Sequence, residues 1–284
     1  MSQPSERPAD ERPPLATPES AERLEPPLEV SRARGDEVAL VVPWTPQQTW
    51  IGVGVTLGPW LLIAVVATLV SRGAASTATL RPLPPLEDAI GGVLAFGVTA
   101  VLEATFLVAP LYFALRTRPA RAGVVEALRA LGFRRTDWRV AALWIVIAAV
   151  LGYAASAIYD VVKVPLGLQT NTDALAEQIK VAPLTTLGLL LAGALVAPIC
   201  EEVFFRGFLL PGIASSMPIW SAVIVSSLLF GLAHADLGSL APLIAIGLLL
   251  GVVRWKTRSL WPPIFLHTLN NTAALIALLP LLPH

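Results

Sequence analysis

Charge is scarce in this chain. Asp, Glu, Lys and Arg make up 14% of its 284 residues, against roughly 25% in soluble domains. The 20 basic residues are balanced by 20 acidic ones. That neutrality gives no electrostatic case for nucleic-acid binding. The single cysteine, Cys200, excludes an internal disulfide framework. Its place in an apolar run reads as a small core residue rather than a nucleophile. Only three histidines occur, and one of them is the C-terminal His284. No Ser or Thr stands in a G-x-S-x-G nucleophile motif, and strand-type polar alternation is absent. What fills the chain is hydrocarbon: 55% apolar residues and a mean hydropathy of +0.69. This is the composition of a polytopic membrane protein.

Residues 1–47 differ in kind. They are rich in Pro, Glu, Arg and Ser and poor in aromatics. Such a segment cannot bury enough apolar surface to offset its ordering entropy, so it reads as a disordered cytoplasmic tail. No apolar h-region follows a basic start, as a secretory signal would require. Ser2 stands where N-myristoylation needs glycine. The membrane domain is expected over 48–284.

Crossing the hydrocarbon takes about 20 predominantly apolar residues. Such runs lie at about Trp50–Val70, Ala89–Leu115, Val140–Val162, Pro183 through Cys200 and on to Ile213, Ile219–Ala235, Leu240–Trp255 and Leu260–Leu279. The expectation is an all-α transmembrane bundle of seven spans, or eight if the last divides near Asn270. Helices are required because lipid offers the backbone no hydrogen-bond partner. Basic loops set the orientation. The second run is followed by Arg116, Arg118, Arg121, Arg129, Arg134, Arg135 and Arg139, and the sixth by Arg254, Lys256 and Arg258. Both loops fall on one side, and basic loops stay cytoplasmic. The N-terminus is therefore expected inside, in a bacterial inner membrane. The arginine-rich loop reads first as a topology determinant. A short helix about Val124–Leu131 lying on an anionic leaflet is the alternative.

Polar residues inside these apolar runs carry the functional signal. They are Glu201, Glu202, Arg206, His234, His267 and Asn271. Ionisable groups cost a few kcal/mol in a bilayer and mark cavities, relays and catalytic sites. Adjacent Glu201 and Glu202 point about 100° apart on a helix, so they cannot share a role. Glu202 and Arg206 fall on one face in the order that favours an ion pair, and an arginine in an apolar run needs such a partner. That pairing leaves Glu201 for chemistry. Pro198 kinks the same helix. His267 and Asn271 share a face and offer two donors to one point, as an oxyanion requires. Phe230 and His234 repeat that spacing, and Gly231 between them allows close helix approach. Glu103 and Asp160 have no such companions and read as structural or cavity residues. His234 lies fifteen residues into its run and so reads as further out than Glu201 and His267.

Two chemistries fit one carboxylate and two imidazoles. Glu201 and His234 can activate a water while His267 and Asn271 stabilise the oxyanion. Alternatively Glu201, His234 and His267 can ligate a zinc ion with an open fourth position. The H-E-x-x-H signature of soluble zinc proteases is absent, and spacing alone does not demand a metal.

At these residues the chain resembles the CAAX-protease and bacteriocin-processing family of intramembrane endopeptidases, formerly called the Abi family. Its three motifs, E-E-x-x-x-R, F-x-x-x-H and H-x-x-x-N, read here as Glu201-Glu202-Val203-Phe204-Phe205-Arg206, Phe230-Gly231-Leu232-Ala233-His234 and His267-Thr268-Leu269-Asn270-Asn271. The resemblance covers Pro183 to the C-terminus, the expected catalytic core 183–284. It implies hydrolysis of a peptide bond in a membrane-embedded or membrane-tethered substrate. Glu201 and His234 would activate the water, His267 and Asn271 would form the oxyanion hole, and Glu202, Arg206 and Phe230 would support them. The family is described both as metalloproteases, implying Zn2+, and as metal-free glutamate proteases. Two readings from other classes stand beside it: a non-proteolytic immunity or scaffold relative on the same fold, and a proton-coupled transporter.

Overall fold

The computed structural model describes residue 40 and residues 42–74, 82–116 and 123–283. The expected tail lies outside the described residues up to position 39. So does part of the arginine-rich loop, 117–122. Among the described residues every regular element is helical: α1 (Pro46–Ala74), α2 (Pro85–Ala104), α3 (Val108–Arg116), α4 (Val124–Leu131), α5 (Trp138–Lys163) and α6 (Asn171–Gln178) form the first half. α7 (Pro183–Leu195), α8 (Ala197–Glu202), α9 (Leu210–Ala214), α10 (Ile219–Ala233), α11 (Leu240–Thr257) and α12 (Trp261–Leu278) form the second.

Five stretches are long and apolar enough to cross a membrane: Pro85–Arg116, Trp138–Lys163, Pro183–Ala214, Leu240–Thr257 and Trp261–Leu281. The chain is an integral membrane protein. The first expected run lies within α1, which has 29 residues. The fifth became α10, apolar but only 15 residues long. α12 continues through Asn270 without a break.

The tightest helix pair is α2 with α7. A β-carbon on Gly188 would overlap the backbone carbonyl of Gly92, and one on Gly92 would meet the carbonyl of Leu184. Small residues at this crossing let the two backbones touch, which is how helices associate where lipid removes the hydrophobic incentive. Asp88 on α2 locks the pair. Its carboxylate accepts from the Leu184 and Thr185 backbone N–H groups at 2.8 and 2.9 Å and from the Thr185 hydroxyl at 2.8 Å. These donors belong to the first turn of α7 and have no partner within the helix.

α7, α8 and α9 form one rod, modified twice. The helix steps at Val196, just ahead of Pro198, and a π-helical turn covers Val203–Leu209. Wide turns of this kind are frequent at functional sites, and this one carries Arg206. Around it pack the fully buried rings of Phe204, Phe205, Phe208 and Phe230. The Phe205 and Phe230 centroids lie 5.2 Å apart, edge to face, a favoured aromatic geometry.

α10 docks closely on α11. A β-carbon on Gly231 would meet the Ile244 side chain at 2.8 Å, and one on Gly247 would meet Ser227 at 3.1 Å. The Ser226 hydroxyl donates to the Phe205 carbonyl at 3.1 Å and fixes the register of α10 against the rod. The loop beyond α10 is tied to α6, where Asp236 accepts from the Asn171 N–H at 2.8 Å. Thr170 and Asp173 form a capping box at the start of α6. The Thr170 hydroxyl and N–H hold the Asp173 carboxyl below the usual carboxylate range. The arginine-rich segment lies at the other end of the rod. Gly207 packs on the Leu131 backbone, and the Leu260 N–H donates to the Gly132 carbonyl at 2.9 Å.

Candidate active site

Glu202 is the hub of the buried polar cluster. Its Oε1 accepts from Arg206 Nη1 at 2.7 Å, the ion pair expected from their spacing. The same oxygen meets His267 Nδ1 at 3.0 Å. A carboxylate already paired to a guanidinium can only accept, so His267 Nδ1 carries the proton of this contact. Arg206 is fully buried. It gives Nη2 to the Gly247 carbonyl at 3.0 Å, while its own backbone carbonyl receives Arg254 Nε at 3.1 Å. Its guanidinium carbon sits 4.4 Å from the Phe230 ring centroid, within cation–π range. The Gly247 carbonyl and the Phe230 face thus supplement the ion pair, while Arg206 Nε and Glu202 Oε2 remain buried without a hydrogen-bond partner.

Glu201 is turned away from that hub, as adjacent helical positions require. Its Oε1 lies 3.9 Å from His234 Nε2 and its Oε2 3.8 Å from His267 Nε2. Both separations exceed a direct hydrogen bond and suit a bridging water. Glu201 Oε2 is buried with no hydrogen-bond partner. His234 Nδ1 meets the Phe230 carbonyl at 2.8 Å. A carbonyl only accepts, so the neutral ring carries its proton there and turns the lone pair of Nε2 toward Glu201. The Phe230 ring lies 4.7 Å from the His234 ring and 5.7 Å from the His267 ring, centroid to centroid. It packs against both imidazoles and the Arg206 guanidinium.

The depth mismatch between His234 and its companions disappears in the structure. Ser226 is level with Phe205, and α10 ends at His234. The imidazole therefore projects from the end of a short helix at the height of Glu201. Its side chain is 29% exposed, against 10% for Glu201 and 4% for His267, so the site is reached past His234.

Asn271 lies one turn beyond His267 on the same face of α12. Its Nδ2 donates to the Gly193 carbonyl on α7 at 2.8 Å, and its Oδ1 receives Asn270 Nδ2 at 3.3 Å. One amide hydrogen is thereby committed to holding α12 against α7 and the second is not. Glu103 is buried on α2, its Oε2 without a partner, and lies within electrostatic range of Glu201. The Asp160 side chain, by contrast, is 65% exposed near the end of α5, 3.5 Å from Lys163. Cys200 is a buried free thiol. The sequence reading missed Gly193, Gly247 and Arg254. The first two act through backbone carbonyls, which side-chain identity does not report. Arg254 had been counted with the basic loop.

Zinc would fall to Glu201, His234 and His267. Among the described residues no group of three or more His, Cys, Asp or Glu side chains is arranged to hold a metal ion. The set as it stands does not fit one.

Residues 183–273 match the family model described as Rce1-like, the type II CAAX prenyl endopeptidases. Over 106 residues the chain is 32% identical to the candidate membrane peptidase YdiL of Bacillus subtilis (strain 168), covering 37% of this chain and 42% of that protein. Over 87 residues it is 35% identical to an uncharacterised 24.3 kDa protein of Escherichia coli, covering 29% of this chain and 40% of that one. The chain thus matches about two fifths of the length of these curated relatives. No solved structure matches it. The matched segment contains Glu201, Glu202, Arg206, His234, His267 and Asn271, so the similarity to the CAAX prenyl endopeptidases spans every residue of the cluster.

Proposed function

We propose that the protein is an intramembrane endopeptidase that cuts a peptide bond in a membrane-embedded or membrane-tethered substrate with water held at Glu201. The observation that carries this reading is the bracketing of one buried carboxylate by two imidazole Nε2 atoms, at 3.8 and 3.9 Å. Glu201 takes a proton from the water, and His234 Nε2 accepts a hydrogen bond from it. The hydroxide oxygen bonds to the scissile carbonyl carbon, and the carbonyl π pair moves onto oxygen. His267 Nε2–H and the uncommitted Asn271 N–H donate to that oxyanion. Collapse breaks the C–N bond, and the proton on Glu201 passes to the leaving nitrogen. The role of His267 requires protons on both ring nitrogens, one facing Glu202 and one facing the oxyanion.

The orientation belongs to the same proposal. The basic loops favour an arginine-rich segment and an N-terminus on the cytoplasmic side of a bacterial membrane.

The test is cleavage of a defined membrane peptide by the purified chain in vesicles, with and without a chelator. Glu201→Gln and His234→Ala should each lower turnover by about 10²–10⁴-fold with the folded fraction unchanged. Near-parental turnover in either variant sinks the assignment. Chelator-sensitive cleavage restored by zinc would move the reading to a metalloprotease.

A further inference from the structure

The basic face carries a built cleft that the peptidase reading does not use. It has a volume of about 900 Å³ and is lined by Arg129, Phe133, Arg134, Arg135, Trp138 and Trp261 among others. Trp138 opens α5 and Trp261 opens α12, and both are about half exposed, at 55% and 48%. Tryptophans at the first residue of two membrane helices mark the headgroup level of the bilayer. Phe133 meets Trp261 edge to face at 5.2 Å and forms an apolar wall. The three arginines are exposed, and among the described residues none makes an ion pair.

The cleft is fixed in shape. Arg134 Nε donates to the Arg129 carbonyl at 2.9 Å, and the Ser259 hydroxyl donates to the Arg134 carbonyl at 2.8 Å. Gly132 takes φ +106, with the Arg254 guanidinium directly beneath it. A side chain there would be both strained and obstructed. The backbone is thereby tied down on both sides of Phe133, while among the described residues the three guanidinium groups have no carboxylate partner.

We propose that this cleft binds the phosphate of an anionic phospholipid headgroup in the leaflet facing the arginine-rich segment. Guanidinium forks match phosphate oxygens in pairs. The flanking indoles suit the glycerol and upper acyl region, where one edge is apolar and the other wet. A diffuse basic surface would have no need of an aromatic-walled hollow at headgroup height.

Native mass spectrometry of the full chain, released from micelles holding equal phosphatidylglycerol and phosphatidylcholine, reads the preference directly. The parent should retain phosphatidylglycerol at least about fivefold more strongly, the worth of a single basic group near the headgroups. Arg129→Gln with Arg135→Gln should reduce this to about twofold or less; Arg134 stays because it braces the loop. Arg116→Gln with Arg139→Gln removes the same charge outside the cleft and should leave the preference within about twofold of the parent. Arg129→Lys with Arg135→Lys keeps charge and folding but loses the fork, and should fall between the two. No preference in the parent, or equal losses from both glutamine pairs, would overturn the cleft in favour of diffuse attraction. Displacement of the lipid by inorganic phosphate at equal concentration would overturn the lipid occupant and make this a site for a free anion.

Discussion

The side-chain amide of Asn271 is bonded to the backbone carbonyl of Gly193 across 2.8 Å, joining α12 to α7 beside the buried carboxylates. Asn271 thus has a structural duty as well as the catalytic one proposed for it. Asn271→Ala should cost on the order of 1 kcal/mol of stability and about 10²–10³-fold in kcat with little change in KM. Asn271→Asp replaces both donors by acceptors, sets a carboxylate against a carbonyl and should be at least as poor. Steady-state cleavage and thermal melting of the two variants check this. An active Asp variant would remove Asn271 from the oxyanion hole.

The shared oxygen of Glu202 gives a second prediction. Arg206→Ala leaves that buried carboxylate without its guanidinium partner and frees the Gly247 carbonyl. The folded fraction in detergent should fall by an amount equivalent to about 3–5 kcal/mol. Glu202→Gln with Arg206→Met should recover part of the loss, because the amide oxygen can still receive His267 Nδ1. Size-exclusion profiles after a heat challenge separate the variants. No recovery in the pair would mean that the ion pair is not what holds Arg206 in place.

Helix approach gives the third. Gly188→Ala should lower the melting temperature measurably, because its methyl has no room against the Gly92 carbonyl and overpacking costs about 1–3 kcal/mol. Gly97→Ala on the same helix as Gly92 points into open space and should be silent. Equal behaviour of the two would refute the α2–α7 contact as a stability determinant.

Sidedness is checked with single cysteines at Arg129 and Gln169 in a Cys200→Ala background. An impermeant thiol reagent on intact cells should label position 169 and spare position 129. The reverse pattern would invert the orientation.

The meeting of Glu201, His234 and His267 was legible in the sequence for a simple reason. Each lies in an apolar helix, where a polar group must find polar company, and the four-residue spacings fix which faces it can share. The Glu202–Arg206 pair followed from the same spacing. What escaped detection depends on the backbone or on length. No side-chain pattern announces that Asn271 will choose the Gly193 carbonyl or that Arg206 will choose that of Gly247. Gly92 and Gly188 are ordinary in their own helices and acquire meaning only where those helices cross. Asp88 reads as a stray acid near a helix start until the unpaired N–H groups of Leu184 and Thr185 are placed beside it. Asp160 looked intramembrane because apolar residues surround it in sequence, yet it sits where α5 is about to end.

The shortness of α10 has a consequence for the supply of water. Fifteen residues rise roughly 22 Å, about 8 Å less than a hydrocarbon core of ordinary thickness. A bilayer that thins to meet the end of that helix would bring its aqueous boundary to His234. A hydrolase working among acyl chains would then need no separate conduit, since the mismatch itself draws the aqueous boundary down to the imidazole. Membrane thickness becomes a rate parameter on this account. Cleavage in vesicles should slow as the lipids change from myristoyl to oleoyl to erucoyl chains, although no residue of the enzyme has changed. A rate indifferent to chain length would show that water arrives by another route.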